Sequence, residues 1–156
     1  MHDHQTSSPA PDTSAIITKL RKLGMRKTTA LTQVLDALAS SDLPVTIAEI
    51  SERIASDSRC DPATIYRMLE KLERAGVVRK LGMHERAMYF ELLRPGHHGD
   101  YLLCTTCGKI TKIPAACPVE HLENHLKSES GYRNLTHELV FYGICPDCPE
   151  EDPALA

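Results

Sequence analysis

The apolar positions in the first half of the chain recur with a helical period in successive segments. The first apolar stripe ends before Gly24, which can close a helix, and the second ends near Ser40. Thr46 and Glu49 have the spacing of a capping box at the start of a third helix. The pattern therefore predicts three short helices in the first 55 or so residues.

A fourth helical segment has both of its ends marked in the sequence. Asp61 is a typical N-cap residue, Pro62 suits the first turn, and Gly76 suits the left-handed conformation after the last turn. Two strand-like runs follow, 77–81 and 87–92, with a polar turn between them. Three helices, a fourth helix and a hairpin predict a winged helix-turn-helix whose fourth helix enters the DNA major groove.

The second half of the chain predicts a small mixed module. It contains a short strand into Cys104, a strand over 109–113, a helix beginning at Pro118 and a strand over 135–144. Three apolar residues are expected on the inner face of that helix: Val119, Leu122 and Leu126. About 55 residues are few for an independent core, so we expect metal and a partner subunit to contribute. The fold class predicted is α+β, a winged helix-turn-helix followed by a small α/β dimerisation domain.

Composition sets the predicted boundaries of these parts. Segments rich in Pro, Gly, Ser and Thr, with little to bury, are typical of disordered or linking chain. We therefore predict a disordered arm at 1–14, the winged-helix domain at 15–92, a linker at 93–99, the metal-binding dimerisation domain at 100–148 and a disordered tail at 149–156.

Charge is divided unevenly between the two halves. Residues 15–90 hold 13 Lys/Arg against 9 Asp/Glu, a net charge of +4, whereas residues 91–156 hold 5 against 10, a net charge of −5. The basic half suits an anionic partner such as DNA. No apolar run approaches the ~18 residues of a membrane span, and the first residues lack the basic start and apolar middle of a secretory signal. We expect a cytoplasmic protein that does not bind membranes.

The six cysteines include two Cys-x-x-Cys pairs with 37 residues between them. The paired residues are Cys104, Cys107, Cys145 and Cys148. In a reducing compartment this pattern predicts one tetrahedral Zn²⁺ with a closed sulfur shell, which is a structural site. Two unrelated reduced pairs or a redox dithiol are the alternatives. Cys60 and Cys117 lack such spacing and are expected to be ordinary packing residues.

A zinc enzyme is a weaker alternative for the same residues. His121-Leu122-Glu123 followed by the Cys145 pair has the order of ligands found in nucleobase deaminases. However, Ile144 stands where those sites place a proline, and this interpretation leaves Cys104 and Cys107 unused. We therefore predict a protein that is not an enzyme.

Three separated motifs resemble one known family. They are the histidine-rich run His97–Lys109 with its Cys-x-x-Cys-Gly, the segment Ala63–Leu69, and Thr136-His137-Glu138 ahead of the last cysteine pair. Together they are similar to the ferric uptake regulator family over about residues 15–148. The resemblance implies a homodimeric, metal-dependent transcriptional repressor that binds an operator in double-stranded DNA and controls iron or zinc uptake genes. A peroxide-sensing repressor on the same scaffold is the alternative.

The resemblance also implies a sensing site for a second metal ion. Its ligands by position are His98, Asp100, Glu120 and His137, with His121 as an alternative to Glu120 because the chain is one residue longer there. Residues two apart in an extended segment share a face, so His98 and Asp100 can hold one ion together. A mixed His and carboxylate shell suits Fe²⁺ or Zn²⁺, with Mn²⁺ also possible.

The family's additional hinge site is poorly matched. Gly99, Tyr101 and Pro44 stand where its pattern has histidines, although Glu91 is kept. The protein thus has either a single sensing site or a second one at the hinge, rebuilt from three residues: His84, Glu91 and His97.

The resemblance assigns DNA contacts to two segments. Basic and hydroxyl residues before the second helix suit phosphate or minor-groove contacts, and those on the fourth helix suit bases and phosphates. The candidates are Arg26, Lys27 and Thr28, and Thr64, Tyr66 and Arg67.

Overall fold

Side-chain caps fix where the helices of the first half begin. In the computed structural model, which describes residues 12–54, 60–84, 87–94, 99–133 and 135–149, these helices are α1 (Thr13–Lys22), α2 (Thr29–Ala39), α3 (Ile47–Arg53) and α4 (Pro62–Arg74). Their N-cap residues are Asp12, Thr28, Thr46 and Asp61. The predicted capping box is confirmed in both halves. Helix α1 starts inside the segment expected to be a disordered arm, because Asp12 accepts hydrogen bonds from its first turn.

The four helices pack with a small sheet around one hydrophobic core. The sheet has the order β1-β3-β2, formed by β1 (Val45–Thr46), β2 (Val78–His84) and β3 (Ala87–Leu92). Strand β1 is antiparallel to β3, with Val45 opposite Phe90. The fully buried side chains include Leu35, Ile50, Ile65 and Leu69. Strand β2 extends three residues past its predicted end at Leu81.

The predicted boundaries of this half differ from the observed contacts at its end. The Leu93 amide donates to the Val77 carbonyl at 2.8 Å, and the Arg94 guanidinium donates to the Ser41 carbonyl at 3.3 Å. Leu93 and Arg94, assigned to the linker, therefore belong with the helical unit. The remainder of the arm, residues 95–98 and the tail from 150 lie outside the described residues.

A second compact unit follows, built on a different sheet. It contains β4 (Asp100–Cys104), β5 (Ile110–Lys112), α5 (Glu120–Ser130) and β6 (Leu139–Gly143), with the strand order β5-β4-β6. Strand β4 is antiparallel to β5 and parallel to β6. Parallel neighbours need a long crossover connection, and here it carries β5 and α5. Asp100 is paired with Leu139 at one end of β4, and Cys104 with Gly143 at the other.

Helix α5 differs from its prediction in burial. It begins two residues after Pro118 and ends at Gly131, which has a φ of 70°. Its apolar stripe is not enclosed within the chain, since Leu122 is 54% exposed and Leu126 is 42% exposed. The prediction of an inner face for this helix is wrong for a single chain, because no described element covers it. None of the described helices has the length and apolar character needed to cross a membrane.

Candidate metal centres

The two Cys-x-x-Cys pairs meet at one end of the β4–β6 pairing. Cys104 ends β4 and is paired with Gly143 of β6. Cys145 lies two residues after Gly143. The Sγ–Sγ distances are 3.8 Å from Cys104 to Cys148, 3.7 Å from Cys107 to Cys145, and 3.6 Å from Cys145 to Cys148. Zn–S bonds of ~2.3 Å in a tetrahedron require S···S edges of about 3.8 Å. The four sulfurs that the sequence predicted as one set thus fit a tetrahedral zinc ion.

Backbone amides prepare this cluster for negative charge. The amides of Cys107 and Cys145 donate to Cys104 Sγ at 3.5 and 3.3 Å, and these bonds lower the pKa of Cys104 to about 5. Contacts with the thiols of Cys107 and Cys145 raise the pKa of Cys148 to about 12. Four thiolates cannot gather without a cation, so a divalent ion is the group that resolves their repulsion.

A charged pair joins the two cysteine turns. Lys109 Nζ lies 2.5 Å from Asp147 Oδ2, and this hydrogen bond raises the pKa of Lys109. A Zn²⁺ ion with four thiolates has a net charge of −2, which a neighbouring ammonium group partly offsets. Because both side chains are more than half exposed, we assign the pair little weight in folding stability.

A second ligand cluster lies toward the opposite end of β4. It consists of Asp100, Cys117 and His137, whose ligand atoms all lie within 4.8 Å of one another. Asp100 begins β4, Cys117 precedes α5, and His137 lies two residues before Asp100's register partner Leu139. The Asp100 side chain is buried, and its Oδ1 has no hydrogen-bond partner among the residues that the structure describes. A buried carboxylate oxygen in that state fits a site for a cation.

His137 is oriented by a carboxylate from α5. Its Nδ1 contacts the Glu123 carboxylate, and its Nε2 lies 3.1 Å from Cys117 Sγ. Glu123 also accepts a hydrogen bond from Lys127. The contact with Lys127 and, to a smaller extent, the contact with His137 lower the pKa of Glu123. Metal-binding histidines commonly use one ring nitrogen for a carboxylate and the other for the ion. Here the arrangement leaves Nε2 facing the cluster.

The structure brings together only part of the predicted sensing set. Asp100 and His137 are neighbours, whereas Glu120 and His121 are exposed at the start of α5 and outside the cluster. His98 lies outside the described residues. That these three add ligands when an ion binds stays a prediction.

The rebuilt hinge site also stays a prediction. Glu91 forms an ion pair with Arg79, so a metal ion there would compete with a guanidinium group. His97 and the side chain of His84 lie outside the described part of the chain. Gly99 and Tyr101 pack closely, since a Cβ on residue 99 would lie 2.0 Å from the Tyr101 hydroxyl oxygen.

Sequence analysis missed the cluster residue Cys117 and also Glu123, which orients His137. Cys117 was expected to be an ordinary packing residue because it has no paired cysteine, and Glu123 was considered only within the deaminase alternative. The available signal for Cys117 was its place in the histidine-rich half, three residues before the predicted ligand Glu120. Glu123 gave no signal before the packing of α5 against the residues ahead of β6 was known.

The residues predicted to contact DNA lie near the starts of α2 and α4. Arg26 and Lys27 are exposed, and the Thr28 hydroxyl accepts the Leu31 amide at 3.1 Å as the cap of α2. On α4 the Arg67 side chain is exposed, while Thr64 and Tyr66 are half-buried. The Thr64 hydroxyl donates to Asp61 at 3.2 Å, and the nearby Glu70 raises the pKa of Tyr66.

Comparison with known proteins identifies the family that has these features. The family model described as "Ferric uptake regulator family" matches residues 22–142. This chain belongs to the ferric uptake regulator family. The ferric uptake regulation protein of Neisseria meningitidis is 31% identical over 134 residues, covering 85% of this chain and 92% of that protein. The protein of the same name from Escherichia coli K12 is 30% identical over 141 residues, covering 88% of this chain and 94% of its own.

Solved structures of ferric uptake regulators share the fold. The Helicobacter pylori regulator, reported with three functional metal-binding sites, aligns with a TM-score of 0.72 at 22% identity, covering 93% of this chain and 99% of its own. The Vibrio cholerae regulator gives 0.66 at 23% identity, covering 86% and 100%. The predicted fold class, a winged helix-turn-helix followed by a small α/β unit with four clustered cysteines, is confirmed.

The family also decides the class of activity. Its members are metal-responsive, DNA-binding transcription regulators and not enzymes, as the sequence predicted. The deaminase alternative fails on the geometry too, because Cys104 and Cys107 share one cluster with Cys145 and Cys148.

Proposed function

We propose that this regulator is a homodimeric repressor of metal-uptake genes, switched by a divalent ion bound at Asp100 and His137. The observation that carries the proposal is the buried Asp100 Oδ1, which has no partner among the described residues and lies in the same cluster as His137. Burying an uncompensated carboxylate is unfavourable, and an ion removes that cost. The chain order supports His98 as a further ligand.

The four-cysteine cluster is proposed to hold a structural Zn²⁺. The tetrahedral S···S edges and the amides aimed at Cys104 support this ion. With four thiolate ligands the coordination shell is closed, so neither water nor substrate can join it. The zinc would therefore fold the second unit and leave metal sensing to the Asp100 cluster.

A second copy of the chain is the proposed occupant of the exposed apolar surface of the second unit. Leu102 and Phe141 are register partners on one face of the sheet, and they are 47% and 50% exposed. Leu122 and Leu126 of α5 are exposed as well, and exposed apolar surface of this kind suits an interface between proteins. Sedimentation should show a dimer that Phe141→Glu dissociates, while Leu43→Glu, on an exposed leucine of the first unit, does not. A monomeric parent protein would contradict the proposal.

The sensing ion acts only if it binds the DNA-competent state more tightly than the other state. A coupling free energy of about 1 to 3 kcal/mol would tighten operator binding roughly 5- to 150-fold. By reciprocity, operator DNA should tighten metal binding by the same factor.

A DNA-binding titration tests the sensor. Protein that carries its structural zinc is titrated with operator DNA in the presence of Fe²⁺, Zn²⁺ or Mn²⁺. We expect Asp100→Asn and His137→Ala to lose the metal response while they keep the zinc and the dimer. His125→Ala, on an exposed histidine of α5, is the matched control and should respond like the parent. If both cluster variants still respond, the sensor lies elsewhere, and Glu91 with His84 and His97 is the next candidate.

Helix α4 is the proposed DNA-reading element. Arg67→Ala should weaken operator binding more than Lys80→Ala on β2, because the helix lies in the groove and the hairpin flanks it. Thr64 and Tyr66 are the proposed base contacts, and Arg26, Lys27 and Thr28 the proposed backbone contacts. Phosphate contacts should make log K fall linearly with log salt, with a shallower slope after Lys27→Ala. Equal losses for Arg67→Ala and Lys80→Ala would contradict this assignment.

The peroxide-sensing alternative predicts a different chemistry at the same ligands. Protein loaded with Fe²⁺ and treated with peroxide would gain one oxygen atom on a ligand histidine, which mass spectrometry detects. An uptake regulator would keep its ligands unmodified and respond to metal alone. Since a repressor has to reach its operator DNA, we propose that this regulator acts in the cytoplasm under either alternative.

A further inference from the structure

Cys117 is the cluster member that the family resemblance did not supply. Its Sγ lies 3.1 Å from His137 Nε2, and its ligand atom is within 4.8 Å of the Asp100 carboxylate. Bonds of ~2.3 Å to sulfur and ~2.0 Å to nitrogen would place S and N about 3.5 Å apart around a tetrahedral ion. A shift of a few tenths of an ångström would let one ion bind both atoms.

Two observations on the other residues of the cluster indicate that an ion belongs among these atoms. Asp100 is only 6% exposed, and its Oδ1 has no hydrogen-bond partner in the described parts of the chain. The His137 ring is held by Glu123 through Nδ1, and this leaves Nε2 on the side of Cys117. A thiol that served only for packing would require neither a partnerless carboxylate oxygen nor an oriented imidazole.

We infer that Cys117 is a thiolate ligand of the sensing ion and that the resulting oxygen, sulfur and nitrogen site favours zinc over manganese. The inference rests on the proposed function, since it concerns the same ion. On binding, Cys117 loses its S–H proton to solvent and forms a sulfur–metal bond, with no change in oxidation state. Thiolate and imidazole ligands suit Zn²⁺, whereas Mn²⁺ prefers shells of oxygen. The position that the family resemblance gives to Glu120 would thus be taken by sulfur.

Cobalt provides a direct spectroscopic test, because a Co²⁺–thiolate bond absorbs in the near ultraviolet. Protein with zinc in the four-cysteine cluster receives one equivalent of Co²⁺, and its zinc content is measured afterwards to exclude exchange into that cluster. We expect a thiolate-to-cobalt band that Cys117→Ser abolishes. Cys60→Ser is the matched control, since Cys60 packs against the core of the first unit, and the band should persist in it.

Affinity gives a second readout that does not depend on the spectrum. Competition with a chelator should show that Cys117→Ser weakens Zn²⁺ at the sensing site by at least roughly 10-fold. Mn²⁺ affinity should change less, so that the preference for zinc falls.

The outcomes separate this inference from the proposed function. If cobalt binds, Asp100→Asn abolishes its visible bands, and Cys117→Ser leaves the near-ultraviolet spectrum unchanged, Cys117 is not a ligand and the sensing site stands. Equal Zn²⁺ and Mn²⁺ losses in Cys117→Ser would overturn the zinc preference. If no cobalt binds beyond the zinc, and Asp100→Asn does not alter the DNA response to metal, both the inference and the proposed sensor are overturned.

Discussion

The two compact units of this regulator differ in how many side chains each buries in its own interior. The first encloses a continuous core drawn from α1 to α4 and the hairpin, with Leu35, Ile50, Leu69 and Phe90 almost completely buried. In the second, α5 buries no residue, and the described buried positions lie in β4 and the glycine before it. That unit instead contains both ligand clusters. The first unit has an apolar core of its own, whereas the proposed ions and the proposed partner copy would supply part of the stability of the second.

Removing a zinc ligand should produce the largest difference in stability between the two units. Cys104→Ser should release the ion and unfold the second unit, because a structural zinc contributes folding free energy of order 10 kcal/mol. Hydrogen exchange resolved along the chain should then show protection lost over residues 100–149 and kept over α2 and α4.

Cys60→Ser serves as the control for that experiment, because it removes a thiol from the first unit without touching the zinc. Its zinc content and exchange pattern should match those of the parent. A Cys104→Ser protein that remains a zinc-free dimer of normal thermal stability would show that the second unit does not depend on the ion.

Two leucine-to-alanine substitutions, one in each unit, should produce effects of intermediate size on stability. Leu69→Ala empties part of the first core and should cost about 2 to 5 kcal/mol of unfolding free energy in that unit. Leu122→Ala, at a half-exposed position of α5, should leave the stability of the first unit unchanged and weaken only the dimer. Exchange protection in α2 and sedimentation measure the two effects. Similar losses of protection in α2 for both variants would contradict the division.

The smallest effect expected concerns a helix cap. Thr46→Ala removes the hydroxyl that accepts the Glu49 amide at 3.2 Å, and should cost about 1 kcal/mol. In a unit of this size that lowers Tm by roughly 4 to 8 °C. Thr18→Ala, at an exposed position within α1, should change stability by less than about 0.5 kcal/mol. A Thr46→Ala protein as stable as Thr18→Ala would show that the capping box contributes nothing measurable.

Prediction from sequence worked where local chemistry decides the structure. Asp61, Pro62 and Gly76 each act within one helical turn, and the ends of α4 follow the prediction. The four-cysteine cluster could also be predicted from sequence, because a tetrahedral zinc ion requires four ligands and the two Cys-x-x-Cys pairs supply four sulfurs. Helix α5 was misjudged because its apolar stripe is buried only if something outside the single chain covers it.

The second ligand cluster was only half predictable for a similar reason. Asp100 and His137 carry recognisable positions along the chain, but Cys117 and Glu123 join them only through the crossover from β5 to β6. Spacing rules describe ligands on one turn or one strand. A ligand brought in by a loop of variable length leaves no fixed spacing to find.

If both proposed ions bind, the parallel pairing of β4 with β6 leads us to expect that the structural zinc binds first. An ion bound by the two cysteine pairs closes a loop of about 37 residues, and a cross-link of that length limits the unfolded chain by about 4 kcal/mol. The same registered strands hold Asp100 next to the segment that carries His137, so the second ion meets ligands whose separation in the chain has already been bridged. The proposed structural zinc would therefore hold the two cysteine pairs together, and the proposed sensing ion would need only to move side chains. The proposed sensing ion would then bind and dissociate without unfolding the second unit.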